Sequence, residues 1–130
     1  MHALKRLQAT RIVSTVAALD QANWPDDVRV LRTAADEVLI VPPVSDVSTV
    51  TDSDPYAIVL ADASFGGVWL PTDEANHLLE HGCEWEVPTE RPFFAQGAIA
   101  GIATKLWLEE DRVLFIVPAP YMAEFEERMH

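Results

Sequence analysis

Hydrophobic residues at positions 9, 12, 13, 16 and 19 share one side of a 3.6-residue wheel. They predict an amphipathic helix over residues 6–22, although the run Ile12-Val13-Ser14-Thr15-Val16 also suits a strand. Trp24-Pro25-Asp26-Asp27 breaks that element. Residues 28–32 alternate apolar and charged, as a half-buried strand does. Ala34-Ala35-Asp36 reads as a turn, and residues 38–41 as a short buried strand stopped by Pro42-Pro43. Residues 44–55, rich in Ser, Thr, Asp and Val, read as a loop with at most a weak turn of helix. Residues 57–60 are apolar throughout, which predicts an inner strand leading to Asp62.

Gly66-Gly67 marks a turn or bulge, after which residues 68–70 resume as a strand. Pro71-Thr72-Asp73 opens a helix capped by Thr72 or Asp73. Ala75, Leu78 and Leu79 share its inner face, and Gly82 closes it at the position after the last helical residue. Residues 84–87 form a short extended piece, and residues 88–98 a loop holding Phe93 and Phe94. Residues 99–108, a second inner strand, and 113–117 form a hairpin turning at 109–112. Residues 118–129 make a final helix burying Tyr121, Met122 and Phe125. The order strand, strand, helix thus occurs at 57–82 and again at 99–129. The expected fold is α+β: one antiparallel or mixed sheet, with helices 72–81 and 119–129 on one face.

Composition limits the possibilities further. With 130 residues, 49% of them hydrophobic, the chain suffices for a single globular domain over 1–130. No apolar run approaches the roughly 18 residues of a membrane helix, and the opening MHALKRLQAT leads into no long apolar run, so no signal peptide is expected. A single cysteine, Cys83, excludes an intrachain disulfide and fits a reduced, cytoplasmic protein. The net charge is −12, and residues 34–130 hold eighteen of the acidic side chains against four basic ones. Such a surface repels phosphate backbones and anionic lipid, so neither nucleic acid nor membrane is expected as a partner. The acidity serves solubility or offers a docking face to a basic partner.

Candidate chemistry is sparse. His77 and His81 lie four apart with Cys83 two further on, a spacing able to offer two imidazoles and a thiolate to zinc. The wheel sets both histidines opposite Ala75, Leu78 and Leu79, so they are expected in solvent, without a native metal. Cys83 has no identifiable base and orienting group to make it a nucleophile. Asp62 and Ser64 lack a second carboxylate and are expected to cap local backbone. Gly66-Gly67 lacks the flanking pattern of a phosphate-binding loop. Of Trp24, Trp69, Trp85 and Trp107, about three are expected in or beside the core and one on a partner surface. No residue is assigned a catalytic, cofactor-binding or metal role.

Several segments, in order, resemble one known family. Residues 32–40, RTAADEVLI, are similar to a Leu-Gly-Pro-Asp-Glu-Trp-Leu-Leu stretch, and 59–64, VLADAS, to Val-Val-Asp-Val-Ser. Residues 75–83, ANHLLEHGC, resemble Ala-x-x-Leu-Leu-x-x-Gly-Cys, the most specific of the matches, with Glu86-Val87 where the family has Asp-Leu. Gln96-Gly97 and the strand at 98–108 follow in place, and 114–129 resemble the closing strand and helix. The family is the gamma subunit of heterotetrameric sarcosine oxidases, related to the folate-binding fold of the glycine-cleavage T-protein, and the resemblance covers roughly residues 28–129. It implies a non-catalytic accessory subunit of an amine-demethylating complex in one-carbon metabolism, with no cofactor of its own and with larger flavin-containing oxidase subunits as partners. The alternatives are a stand-alone binder of a folate-like or other pteridine, and a free-standing interaction domain with other partners.

Overall fold

The computed structural model describes residues 2–129. Its strands are β1 (Lys5–Val13), β2 (Arg29–Ala34), β3 (Glu37–Val41), β4 (Ile58–Pro71), β5 (Phe93–Ile99), β6 (Ile102–Leu108) and β7 (Arg112–Pro118). The helices are α1 (Val16–Gln21), α2 (Ser48–Thr51), α3 (Thr72–Gly82) and α4 (Met122–Arg128), the last preceded by a 3-10 turn at Ala119–Tyr121. Every strand pair with a resolved register is antiparallel. Among the described residues no helix is long and apolar enough to cross a membrane.

The chain forms two compact units, Gln8–Ala63 and a second made of Met1–Leu7 with Ser64–His130. In the Gln8–Ala63 unit the strand order is β2-β3-β1-β4. Ile12, Val38 and Ile40 from the strands, Ala18 and Leu19 from α1, and Val50 from α2 make its core. The helix expected over 6–22 is here a strand followed by a short helix. Thr10, Ile12 and Val13 are β-branched and stiff in a helix, and alternation buries Thr10, Ile12 and Ser14 together. Thr15 then caps α1 by accepting the Ala18 N–H at 3.1 Å.

In the other unit the order runs β4-β7-β6-β5, with the first residues of β1 beside β4. Val113, Phe115 and Val117 on one face of β7 join Ala75 and Leu79 of α3 and Phe125 of α4 in one core. β6 lies inside the sheet, as its apolar pattern requires.

Several expectations need correction here. Gly66-Gly67 is no turn: both continue β4, with Gly67 opposite Ile116, so the segment is one strand and a helix, not two strands and a helix. Neither Thr72 nor Asp73 caps α3. Its N-cap is Pro71, and the Thr72 hydroxyl donates to the Glu110 carbonyl at 3.0 Å instead. Gly82 is the last helical residue, without a positive φ. An added Cβ there would meet Ile99 Cγ2 at 3.3 Å, so glycine permits close approach to β5. Residues 93–98, read as loop, are β5, and Tyr121 is 47% exposed rather than buried. The expected inner strand at 57–60 is an exposed part of β4: Ile58, Val59 and Leu60 are 53%, 39% and 44% exposed.

β5 and β6 turn through Ala100 and Gly101, both at positive φ (51° and 79°), between the paired Ile99 and Ile102. This is the geometry of a two-residue hairpin loop that favours Asn-Gly. Alanine is strained there, whereas asparagine tolerates the left-handed region. Ala100→Asn should therefore stabilise the protein by about 0.5–1 kcal/mol, read as a higher urea midpoint. An unchanged or lower midpoint would contradict this account of the turn.

Candidate functional site

The polar side chains with metal or nucleophile chemistry gather around α3. Its Ala75 and Leu79 are buried, which turns His77 and His81 outward, and both are exposed as the wheel requires. Their rings meet edge to face with centroids 4.8 Å apart. Together with Glu80 they are a group of exposed ligand atoms within 4.8 Å of one another. Cys83 stands apart from this group. It packs against the core, its thiol donates to the Trp85 carbonyl at 3.1 Å, and it forms an isolated bridge with Ile99. That arrangement gives Cys83 a structural setting rather than a base-activated one.

Two cavities flank α3. One, of about 560 Å³, has Leu70, Leu78 and Met129 as apolar wall and Asp73, Glu74 and Glu126 as carboxylates. Glu126 accepts the Leu4 N–H at 2.6 Å, and Glu74 lies 3.2 Å from His2 Nε2, so two of the three carboxylates already have partners. The other cavity, of about 550 Å³, is bounded by His81, Trp85, Ile99 and Arg128. Two of its polar groups are engaged: Trp85 Nε1 donates to the Ala98 carbonyl at 2.9 Å, and Arg128 donates to the Ala100 carbonyl at 2.7 Å while pairing with Glu124. These hollows have room for a small molecule, and part of their polar lining ties the first and last segments down.

Asp62 is not at a strand-to-turn junction. It lies within β4, where its carboxylate is 3.7 Å from Arg11 Nε, and Glu37 takes the other side of that guanidinium at 3.4 Å. Asp62 is therefore part of an ion network in the Gln8–Ala63 unit. The four tryptophans are all half-buried. Trp69 stacks under Arg112 at 3.8 Å, and Trp107 Nε1 donates to Glu109 at 2.8 Å.

The exposed apolar run at Tyr56, Ile58, Val59 and Leu60 is a surface feature the sequence did not disclose. Uniform apolarity suits an inner strand, and only the tertiary pairing shows that this half of β4 has no such cover. Asp54 fixes the approach to it. Its Oδ2 accepts the Ser14 hydroxyl at 2.7 Å and the Thr15 N–H at 3.3 Å, and its Oδ1 accepts the Tyr56 N–H at 3.0 Å. The Ser14 bond is the main cause that holds the Asp54 carboxyl below the ordinary aspartate range, partly opposed by desolvation. A depressed folded value stabilises the fold above the unfolded value, and the contribution is lost as pH falls through the folded one. Ser14→Ala should raise the Asp54 midpoint, measured by carbon NMR titration of the carboxyl. An unmoved midpoint would remove Ser14 as the cause.

The sequence matches no protein-family model and none of the curated proteins. The fold is another matter. An antiparallel sheet with a few helices is also the architecture of a chain in a solved enzyme complex. That complex is the heterotetrameric sarcosine oxidase from Corynebacterium sp. U-96 in complex with pyrrole 2-carboxylate. The TM-score is 0.74 at 14% identity, and the alignment covers 97% of this chain and 79% of that one. The chain thus has the fold of a component of a heterotetrameric sarcosine oxidase, in line with the resemblance in its sequence.

Proposed function

We propose that this protein is a non-catalytic accessory subunit of a heterotetrameric, sarcosine-oxidase-type complex that demethylates amines. The observation that carries the proposal is the match of nearly the whole chain to most of one chain of such an oxidase. The alignment takes in 79% of the matched chain, so the likeness extends over most of a chain only somewhat longer than this one. The gamma-subunit pattern at residues 75–83 and 114–129 points the same way.

On this reading the fold is of the folate-binding type, and all 130 residues act as one subunit in the cytoplasm. The partners are larger flavin-containing oxidase chains, and no residue of this chain serves as a catalytic group or a native metal or cofactor ligand. The partners already held by Glu126, Trp85 and Arg128 in the cavities and the structural setting of Cys83 support it. A stand-alone pteridine binder is the second reading, favoured by the cavity of about 560 Å³ beside α3. The purified chain alone is expected to be colourless and to form no hydrogen peroxide from secondary amines. Turnover by the pure chain would end the accessory-subunit reading, and a pteridine recovered from it would favour the second.

A further inference from the structure

The half of β4 inside the Gln8–Ala63 unit breaks the usual rule for apolar side chains. Ile58, Val59 and Leu60 are 53%, 39% and 44% exposed, and Tyr56 just ahead of them is 90% exposed. Side chains alternate along a strand, so Ile58 and Leu60 face one way and Val59 the other. This length of strand is therefore apolar and open on both faces. The order β2-β3-β1-β4 makes residues 58–63 the edge of the sheet in that unit. The pairing of β4 with β7 begins only at Phe65.

An exposed apolar edge is a template for another strand, and proteins that stay alone blunt such edges with charge, proline or a bulge. Residues 57–61, AIVLA, carry no charge and no proline. The carboxylates stand at the ends instead: Asp52 and Asp54 before the strand, Asp62 after it. Residues 8–63 hold nine acidic side chains and three basic ones. Of the three, Arg11 is shared between Glu37 and Asp62, and Arg32 pairs with Asp20 at 2.9 Å. A second copy of this chain would bring together two surfaces that each carry this excess of acidic side chains, which is destabilising. A basic partner would be attracted, first of all by Asp52 and Asp54 ahead of the strand.

We propose that residues 56–60 dock a strand of a different protein, an extended apolar segment flanked by lysine or arginine, added to the edge of β4. This rests on the subunit reading only in expecting such a partner, and it names the surface through which that partner binds. Ile58 and Leu60 meet its apolar side chains on one face and Val59 on the other, while a flanking cation meets the carboxylates of Asp52 and Asp54 just ahead of the strand.

The test uses the full chain in its native host, with p-benzoylphenylalanine placed at position 58 or 60 and, as control, at position 73 on α3. After irradiation the crosslinked peptide is sequenced. Positions 58 and 60 are expected to mark one apolar segment with flanking Lys or Arg in a different protein, with position 73 leaving that segment unmarked. Ile58→Lys, introduced with the probe at 60, should lower that yield by about ten-fold or more, with circular dichroism unchanged because the site is exposed. Crosslinks to a second copy, to an acidic segment, or at no more than the control yield would overturn the proposal, as would full yield from the lysine variant. Whether the crosslinked protein is a flavin-containing oxidase subunit bears on the subunit reading alone, so the two can fail separately.

Discussion

Phe125→Ala is expected to destabilise the protein by about 3–5 kcal/mol, the largest effect of any single substitution considered. Phe125 is fully buried, packs in the core with Ala75, Leu79 and Val113, and lies with its ring centroid 6.3 Å from that of Phe115. It is the one buried residue of α4, whose seven residues are too few to hold a helix unaided. Truncation leaves a cavity and also frees the last turn, including Glu126, which ties down Leu4, and Arg128, which ties down Ala100. Urea unfolding monitored by circular dichroism measures the loss. A change below about 1 kcal/mol would mean that α4 is held by something other than this ring.

Gly97→Ala is expected to cost about 1–3 kcal/mol and to move Trp85 into water. A Cβ at position 97 would lie 2.7 Å from Trp85 Cε2 and 2.8 Å from its Nε1. The indole is rigid and is held by its bond to the Ala98 carbonyl, so it has no small adjustment to make. The readouts are a lower urea midpoint and a red shift in tryptophan emission. Gly66→Ala is the internal comparison. Its Cβ would meet the Met122 thioether, a flexible side chain able to swing aside, so its loss should be smaller. Equal losses at the two sites would contradict this steric account.

The sequence disclosed those elements whose pattern agrees with their tertiary setting. α3 was legible because Ala75, Leu78 and Leu79 repeat at helical spacing, with the histidines opposite. β7 was legible because 113–117 are apolar and fully buried. The misreadings have physical causes. The apolar residues of β1 and α1 fall by chance on one helical wheel, and the Thr15 cap that separates the two elements is hidden inside a β-branched run. β5 was missed because Gln96, Gly97 and Ala98 dilute its apolar pattern, and because its turn is made by Ala100-Gly101 without asparagine or aspartate. The exposed edge at 56–60 reads as interior, since apolarity reports a need for cover and not who provides it. No site residue could be chosen from sequence, and the cavity of about 560 Å³ beside α3 arises only when the first and last segments meet that helix.

The central claim is that this chain works as a subunit of an amine-oxidising flavoprotein complex. The most direct measurement is purification of the tagged, full-length chain from its native host at moderate salt, followed by the flavin absorbance and subunit composition of the recovered material. The account predicts a fixed ratio of this chain to larger, flavin-containing oxidase subunits, with amine oxidation by the assembly. Recovery of the chain as a lone, flavin-free monomer would contradict it.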